Sequence, residues 1–172
     1  MINIIRRAGF LFYLSALWTI QLSAGDSEYF FSSNIEFNPE IPSPQEFLGY
    51  ETGTHHTRYD QLAAYFKELD RTSVNAELWT IGYTHGGRPL LVLVISSVSN
   101  LSKLEEIRLN HLKITDPYSD FDHNSLPVIN MLGFGVHGNE SSAAEAAILT
   151  AWYLLASKEE AVNRFLENGI FF

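Results

Sequence analysis

Residues 126–140 read Leu-Pro-Val-Ile-Asn-Met-Leu-Gly-Phe-Gly-Val-His-Gly-Asn-Glu, and the predicted arrangement of the chain follows from them. Its first nine residues form a continuous apolar run, which predicts a central strand buried on both faces. The small-residue run 143–156 then predicts a helix, and Ser142 and Glu145 have the spacing of a capping box at its start. The polar loop 135–140 therefore follows the carboxyl end of a strand and precedes a helix.

The rest of the chain alternates helical and strand-like patterns around this unit. Strand-like runs occupy residues 77–84 and 90–96, with a Gly-rich turn between them that predicts a hairpin. Helical spacing begins near residues 57, 101 and 157. This order predicts an α/β fold with a mixed sheet. The last three residues, 170–172, are apolar and open another strand, which needs neighbours on both sides, so we expect the fold to be incomplete at the C-terminus.

The N-terminal residues 1–24 have the layout of a signal peptide: Arg6 and Arg7, then an apolar stretch over 8–20, then small residues. A stretch of this length falls short of the roughly 20 residues that cross a bilayer, so we predict export to the periplasm or the extracellular space without a stable membrane anchor. Residues 25–56 are polar and punctuated by prolines, which indicates an extended leader. Residues 57–172 then form the domain.

The net charge and the absence of cysteine exclude some partners and some kinds of metal site. The net charge is −9, and it is −11 without residues 1–24, because that segment carries two Arg and no acid. This acidic balance argues against nucleic acid as a partner. The chain has no Cys, so a metal ion must be held by His and carboxylate ligands.

The candidate metal ligands are His137 and Glu140. They stand three residues apart after the apolar strand, at the kind of sheet edge where α/β proteins bind ligands. We expect Gly138 to let the backbone turn tightly, so that the imidazole and the carboxylate face one ion. Nitrogen and oxygen ligands without thiolate suit zinc. The alternative is a chance match in an ordinary Gly-Asn turn.

Other polar residues have simpler structural explanations. His55 and His56 are adjacent, so their side chains point apart and make a poor metal pair. Arg88 follows two glycines in the hairpin turn, so it is explained either as a solvated turn residue or as a charge pair that fixes the hairpin against the core. Glu145 is explained by its capping position rather than as a catalytic base.

The motif resembles that of the zinc metallocarboxypeptidases, the carboxypeptidase A-like, M14-type peptidases, whose first two zinc ligands lie in a strand-end His-x-x-Glu. Residues 81–90 resemble the Gly-Arg segment between the first two strands of that family, and residues 41–50 resemble the leader of its large exported bacterial members. The likeness covers residues 39–172. It implies a mixed, mostly parallel sheet with helices on both faces, of which this chain is the N-terminal part.

The resemblance also implies a function, the hydrolysis of C-terminal peptide bonds by a zinc-bound water, with peptide or protein C-termini as substrates. In the family the third ligand, a His, and the general base, a Glu, lie far downstream. No His follows His137, so we expect a truncated chain that holds no catalytic residue and is inactive alone. Asn139 stands where many digestive members have Arg. Two alternatives are a zinc deacylase or amidohydrolase of the same superfamily and a non-catalytic binding module with the same fold.

Overall fold

The structure, a computed structural model, describes residues 27–122 and 124–172, so the predicted signal peptide lies outside the described residues. The helices are α1 (Ser27–Phe30), α2 (Pro44–Leu48), α3 (Tyr59–Thr72), α4 (Val98–Leu101), α5 (Leu104–Lys113), α6 (Ser142–Ala156) and α7 (Glu160–Asn168). The strands are β1 (Ala76–Tyr83), β2 (Pro89–Ile95), β3 (Val128–Asn130) and β4 (Gly169–Phe171). Within this part of the chain, no helix is both long and apolar enough to cross a membrane.

The four strands form one mixed sheet in the order β1-β2-β4-β3. The β1–β2 hairpin is antiparallel, β2 pairs with β4 antiparallel through Ile95 and Phe171, and β3 pairs with β4 in parallel. The predicted α/β class and mixed sheet are confirmed. Only one of the three described strand pairs is parallel, because the sheet begins with a hairpin and β4 runs antiparallel to β2.

Helices cover both faces of the sheet. Side chains alternate along β2, as they do in any strand: Leu93 and Ile95 belong to the main core, which also contains residues of α3, α6 and α7. Val94 points to the other face and packs with Ile107 of α5 and Ile170 of β4. The predicted helices on both faces are confirmed.

The segment before α3 lies over the C-terminal half of α6. The Phe37 ring stacks on the Trp152 indole with centroids 4.1 Å apart. The Asn38 N–H donates to the Ala156 carbonyl at 2.7 Å, and the Lys158 N–H donates to the Glu36 carbonyl at 2.9 Å. The leader predicted over 25–56 therefore carries, from residue 27 onward, two short helices in addition to its extended stretches.

The strand that ends at the polar loop differs from its prediction. It is only three residues long, it pairs with β4 on one side, and the Val128 side chain is 61% exposed. The expectation of a central strand buried on both faces is therefore wrong for the described residues. An apolar run indicates a tendency to be buried, but burial also requires elements on every side, and none of the described strands pairs with the other edge of β3. The central position belongs to β4, where Ile170 is buried.

Candidate metal centre

The candidate ligands lie in the loop that joins β3 to α6. His137 and Glu140 are both exposed, so their side chains are open to solvent, to an ion and to a substrate. The loop leaves the sheet at the carboxyl end of β3, directly beside the parallel strand β4. Carboxyl ends of parallel strands form the edge at which α/β sheets bind ligands. The loop therefore lies where the sequence predicts it, between the carboxyl end of a strand and the start of a helix.

Backbone hydrogen bonds fold the loop into a turn that carries both side chains. The Glu140 N–H donates to the His137 carbonyl at 3.1 Å, and the Ala143 N–H donates to the Glu140 carbonyl at 3.2 Å. The Glu140 carboxylate bends back, so that its Oε2 accepts the His137 backbone N–H at 3.3 Å. The structure therefore brings the imidazole-bearing and carboxylate-bearing residues together within one turn.

The glycine that the loop requires is Gly135 rather than Gly138. Gly135 has a φ of +71°, a region that L side chains rarely adopt, and a Cβ there would lie 3.0 Å from the Ala143 Cβ. Gly138 has no positive φ, and a Cβ added to it would meet nothing within 4 Å. The expected role of Gly138 in the tight turn is therefore wrong, because the unusual backbone conformation comes where the chain leaves the strand.

The donor atoms fit zinc in kind but are few in number. An imidazole nitrogen and a carboxylate oxygen are both zinc ligands, and a catalytic zinc usually takes three protein ligands and a water. No group of three or more His, Asp or Glu residues in 27–122 and 124–172 is arranged to hold a metal ion. The described residues thus provide two candidate ligands that fit, without a third.

Glu145 makes a contact that its sequence position does not indicate. Ser141, not Ser142, precedes the first residue of α6, and its side chain makes no capping bond, so the predicted capping box is wrong. The Glu145 carboxylate is buried instead, and its Oε1 accepts the backbone N–H of Thr57 at 2.7 Å. Thr57 lies 88 residues earlier in the chain, and no local pattern could have predicted this bond.

The other residues weighed in the sequence make their described contacts with residues outside this loop. The His55 Nδ1 lies 3.0 Å from the Thr54 hydroxyl, and its ring packs against Tyr50. Arg88 lies in the β1–β2 turn, where its backbone N–H donates to the Thr84 hydroxyl at 3.1 Å. In the sheet order, that hairpin lies on the far side of β4 from β3.

Comparison with known families adds the remaining observation. The sequence profile of the zinc carboxypeptidases, peptidase family M14, matches residues 62–172. The chain belongs to the zinc carboxypeptidase family. The matched region contains all four strands and both candidate ligands, and the family resemblance stated from the sequence is confirmed over residues 62–172. No curated protein and no solved structure matches the chain.

Membership places the chain, at family level, among zinc-dependent hydrolases that act on peptides. The match begins within α3, so the leader lies before it.

Proposed function

We propose that this chain carries part of the zinc site of a metallocarboxypeptidase, with His137 and Glu140 as two of the zinc ligands. The observation that carries the proposal is their juxtaposition: both residues stand exposed on one turn at the carboxyl end of β3, inside the region that matches the family. The substrate class that follows is a peptide or protein with a free C-terminus, and the reaction is hydrolysis of its last peptide bond.

The chemistry divides between the metal and the protein. Zinc, when bound, supplies Lewis acidity: it polarises a carbonyl oxygen and lowers the pKa of a water to about 7. His137 contributes a nitrogen donor and Glu140 a carboxylate oxygen. The 3.3 Å bond from the His137 N–H to Glu140 Oε2 holds the carboxylate beside the imidazole-bearing residue. Asn139, between them, offers a neutral amide to a substrate rather than a charge.

Two protein ligands with solvent hold zinc weakly compared with a complete set. No His follows His137 in the sequence, and we assign the third ligand and the general base to no residue of this chain. We therefore expect the chain by itself to bind zinc weakly and to hydrolyse peptides slowly or not at all.

The test is a site-specific zinc titration. The imidazole proton resonances of His137, identified in NMR spectra by their loss in His137→Ala, should shift on addition of zinc. The shift should weaken in Glu140→Gln, because an amide oxygen is a poorer zinc ligand than a carboxylate. His85→Ala is the matched control, since His85 is an exposed His of the β1–β2 turn. Equal total zinc binding by wild type and His137→Ala would defeat the ligand assignment.

A non-catalytic binding module is the second candidate, because the described residues hold no group of three metal-binding side chains. A deacylase or amidohydrolase of the same superfamily is the third. The full-length gene product should be assayed on peptides with free C-termini, on the same peptides amidated, and on acylated amino acids. A carboxypeptidase requires the free carboxylate, a deacylase prefers the acylated amino acid, and a binding module hydrolyses none of them.

We also propose that the protein is exported, on the signal-like layout of residues 1–24, which lie outside the described residues. Expression in a bacterial host, followed by fractionation and N-terminal sequencing, tests this. A cleaved protein outside the cytoplasm is the expected result. An intact Met1 on cytoplasmic protein would contradict it.

A further inference from the structure

Glu145 is a buried carboxylate that the proposed reaction does not use. Its side chain is on α6, the residue is only 8% exposed, and Oε1 accepts the Thr57 N–H at 2.7 Å. Within 27–122 and 124–172 its other oxygen, Oε2, is buried and has no hydrogen-bond partner. Burying a carboxylate is unfavourable unless hydrogen bonds compensate it, so an apolar residue would suit a purely structural position better.

Glu145 lies close in the chain to the loop that joins β3 to α6 and carries His137 and Glu140. Both ends of the loop meet Ala143, in the first turn of α6. The Ala143 N–H donates to the Glu140 carbonyl at 3.2 Å, and a Cβ added to Gly135 would lie 3.0 Å from the Ala143 Cβ. Glu145 follows Ala143 by two residues, so whatever fixes its carboxylate also fixes the turn on which the loop rests.

Thr57, the partner of Glu145, is itself fixed by burial and by a hydrogen bond. It is buried, and its hydroxyl lies 3.0 Å from the Tyr50 hydroxyl. It stands two residues before the start of α3, whose Tyr65 and Leu69 are fully buried in the main core. The Thr57–Glu145 bond therefore joins the first turn of α6 to a part of the core that is distant in sequence.

We propose that Glu145 is a positioning residue for the metal centre: its hydrogen bond to Thr57 holds the first turn of α6, and through Ala143 it holds His137 and Glu140 in the relative position that a zinc ion needs. The inference rests on the proposed function. It adds a residue that touches neither the ion nor the substrate and acts through the geometry of the loop. Groups that hydrogen-bond a metal ligand directly change metal affinity by about 10- to 100-fold, so Glu145, which acts one step further away, should have an effect at the lower end of that range.

Three substitutions of Glu145 separate positioning from simple stability, each made in the full chain. Glu145→Leu fills the space but removes the acceptor, and zinc affinity at the His137 resonances should fall about tenfold. Glu145→Gln retains an oxygen that can accept the Thr57 N–H, so its zinc affinity should stay within about threefold of wild type. Glu145→Asp keeps the charge but withdraws the carboxylate by roughly one bond length of 1.5 Å, and its affinity should fall as in the Leu variant.

The matched control is Ser96→Ala. Ser96 is fully buried and donates its hydroxyl hydrogen to the backbone of α7 or β4, away from the loop. Its loss should lower the melting temperature and leave the zinc affinity of the folded protein unchanged. A folded Glu145→Leu or, if that variant does not fold, a folded Glu145→Asp that binds zinc as tightly as wild type would overturn the inference.

Failure of the inference differs from failure of the proposed function. If His137→Ala binds as much zinc as wild type, the ligand assignment is wrong and Glu145 has nothing to position. If His137→Ala loses zinc while all Glu145 variants keep it, the ligands stand and Glu145 is structural only.

Discussion

Among single residues, Gly135 is the one whose backbone conformation opposes a side chain in the loop that joins β3 to α6. Its φ of +71° and the 3.0 Å approach of an added Cβ to Ala143 both oppose a side chain. We predict that Gly135→Ala destabilises the fold by about 1–2 kcal/mol, the usual cost of a left-handed conformation for an L residue, with a further contribution from the close contact. Denaturant unfolding measures this cost.

Gly138→Ala is the internal control in the same loop. Gly138 has no positive φ and open space around it, so the change in unfolding free energy should stay within about 0.5 kcal/mol. Equal destabilisation by the two substitutions would show that the loop tolerates no side chain for some reason other than backbone conformation.

Some features of this site follow from the sequence alone and others depend on the fold. His137 and Glu140 are three residues apart, so their proximity follows from the sequence alone. Gly135 and Gly138 look alike in sequence, because the sign of φ is set by how the chain leaves β3 towards α6. The bond between Thr57 and Glu145 spans 88 residues and depends on how α3 packs beside α6. The closeness of the two candidate ligands was therefore predictable, whereas the contact of Glu145 and the backbone conformation of Gly135 were not.

Among the elements, α2 is a short helix that a side-chain capping box begins and a glycine ends. The Ser43 hydroxyl accepts the Glu46 N–H, and Glu46 Oε2 accepts the Ser43 N–H at 2.7 Å, which completes a capping box. Pro44 begins the helix and Gly49 ends it with a φ of +79°. All of these signals are present in the sequence. The helix was missed because five residues are too short to show a hydrophobic period.

The capping box predicts a pH dependence. The backbone N–H of Ser43, and then its hydroxyl, hold the pKa of Glu46 below its ordinary value of 4.5. A lowered pKa means that the stabilising effect is complete above pH 4.5 and is lost as the pH falls through the lower, folded-state value. The effect is small, because Glu46 is exposed to solvent.

Ser43→Ala should raise the pKa of Glu46 towards its ordinary value, since the hydroxyl bond is lost while the backbone N–H remains. NMR titration of the Glu46 side chain measures the difference. Ser33→Ala, at an exposed serine of the same leader, should leave that pKa unchanged. Identical Glu46 titration curves in wild type and Ser43→Ala would mean that the hydroxyl plays no part.

In the molecule as a whole, the two inner strands β2 and β4 carry buried side chains, and both edge strands, β1 and β3, expose apolar ones. The hairpin β1–β2 and the burial of β4 followed from strand patterns in the sequence. The exposure of β3 did not, because it depends on which elements lie beside the strand. Six apolar residues along and after β3, which we call the β3 apolar edge, are exposed: Val128, Ile129, Met131, Leu132, Phe134 and Val136. Exposed apolar surface beside an unpaired strand edge favours association between chains.

We therefore predict that the chain self-associates through the β3 apolar edge, and that Met131→Glu weakens this association. Met131 is 80% exposed, so its replacement costs little packing within the fold. Burying a Met side chain contributes at least about 1.5 kcal/mol, which corresponds to roughly a tenfold change in the association constant. Sedimentation velocity over a range of protein concentrations measures the constant.

Tyr118→Glu makes the same change in charge at a side chain that is 91% exposed and lies outside this edge. If the control weakened association as much as Met131→Glu, added negative charge on an already acidic chain would be the cause, and the β3 apolar edge would not be the contact surface.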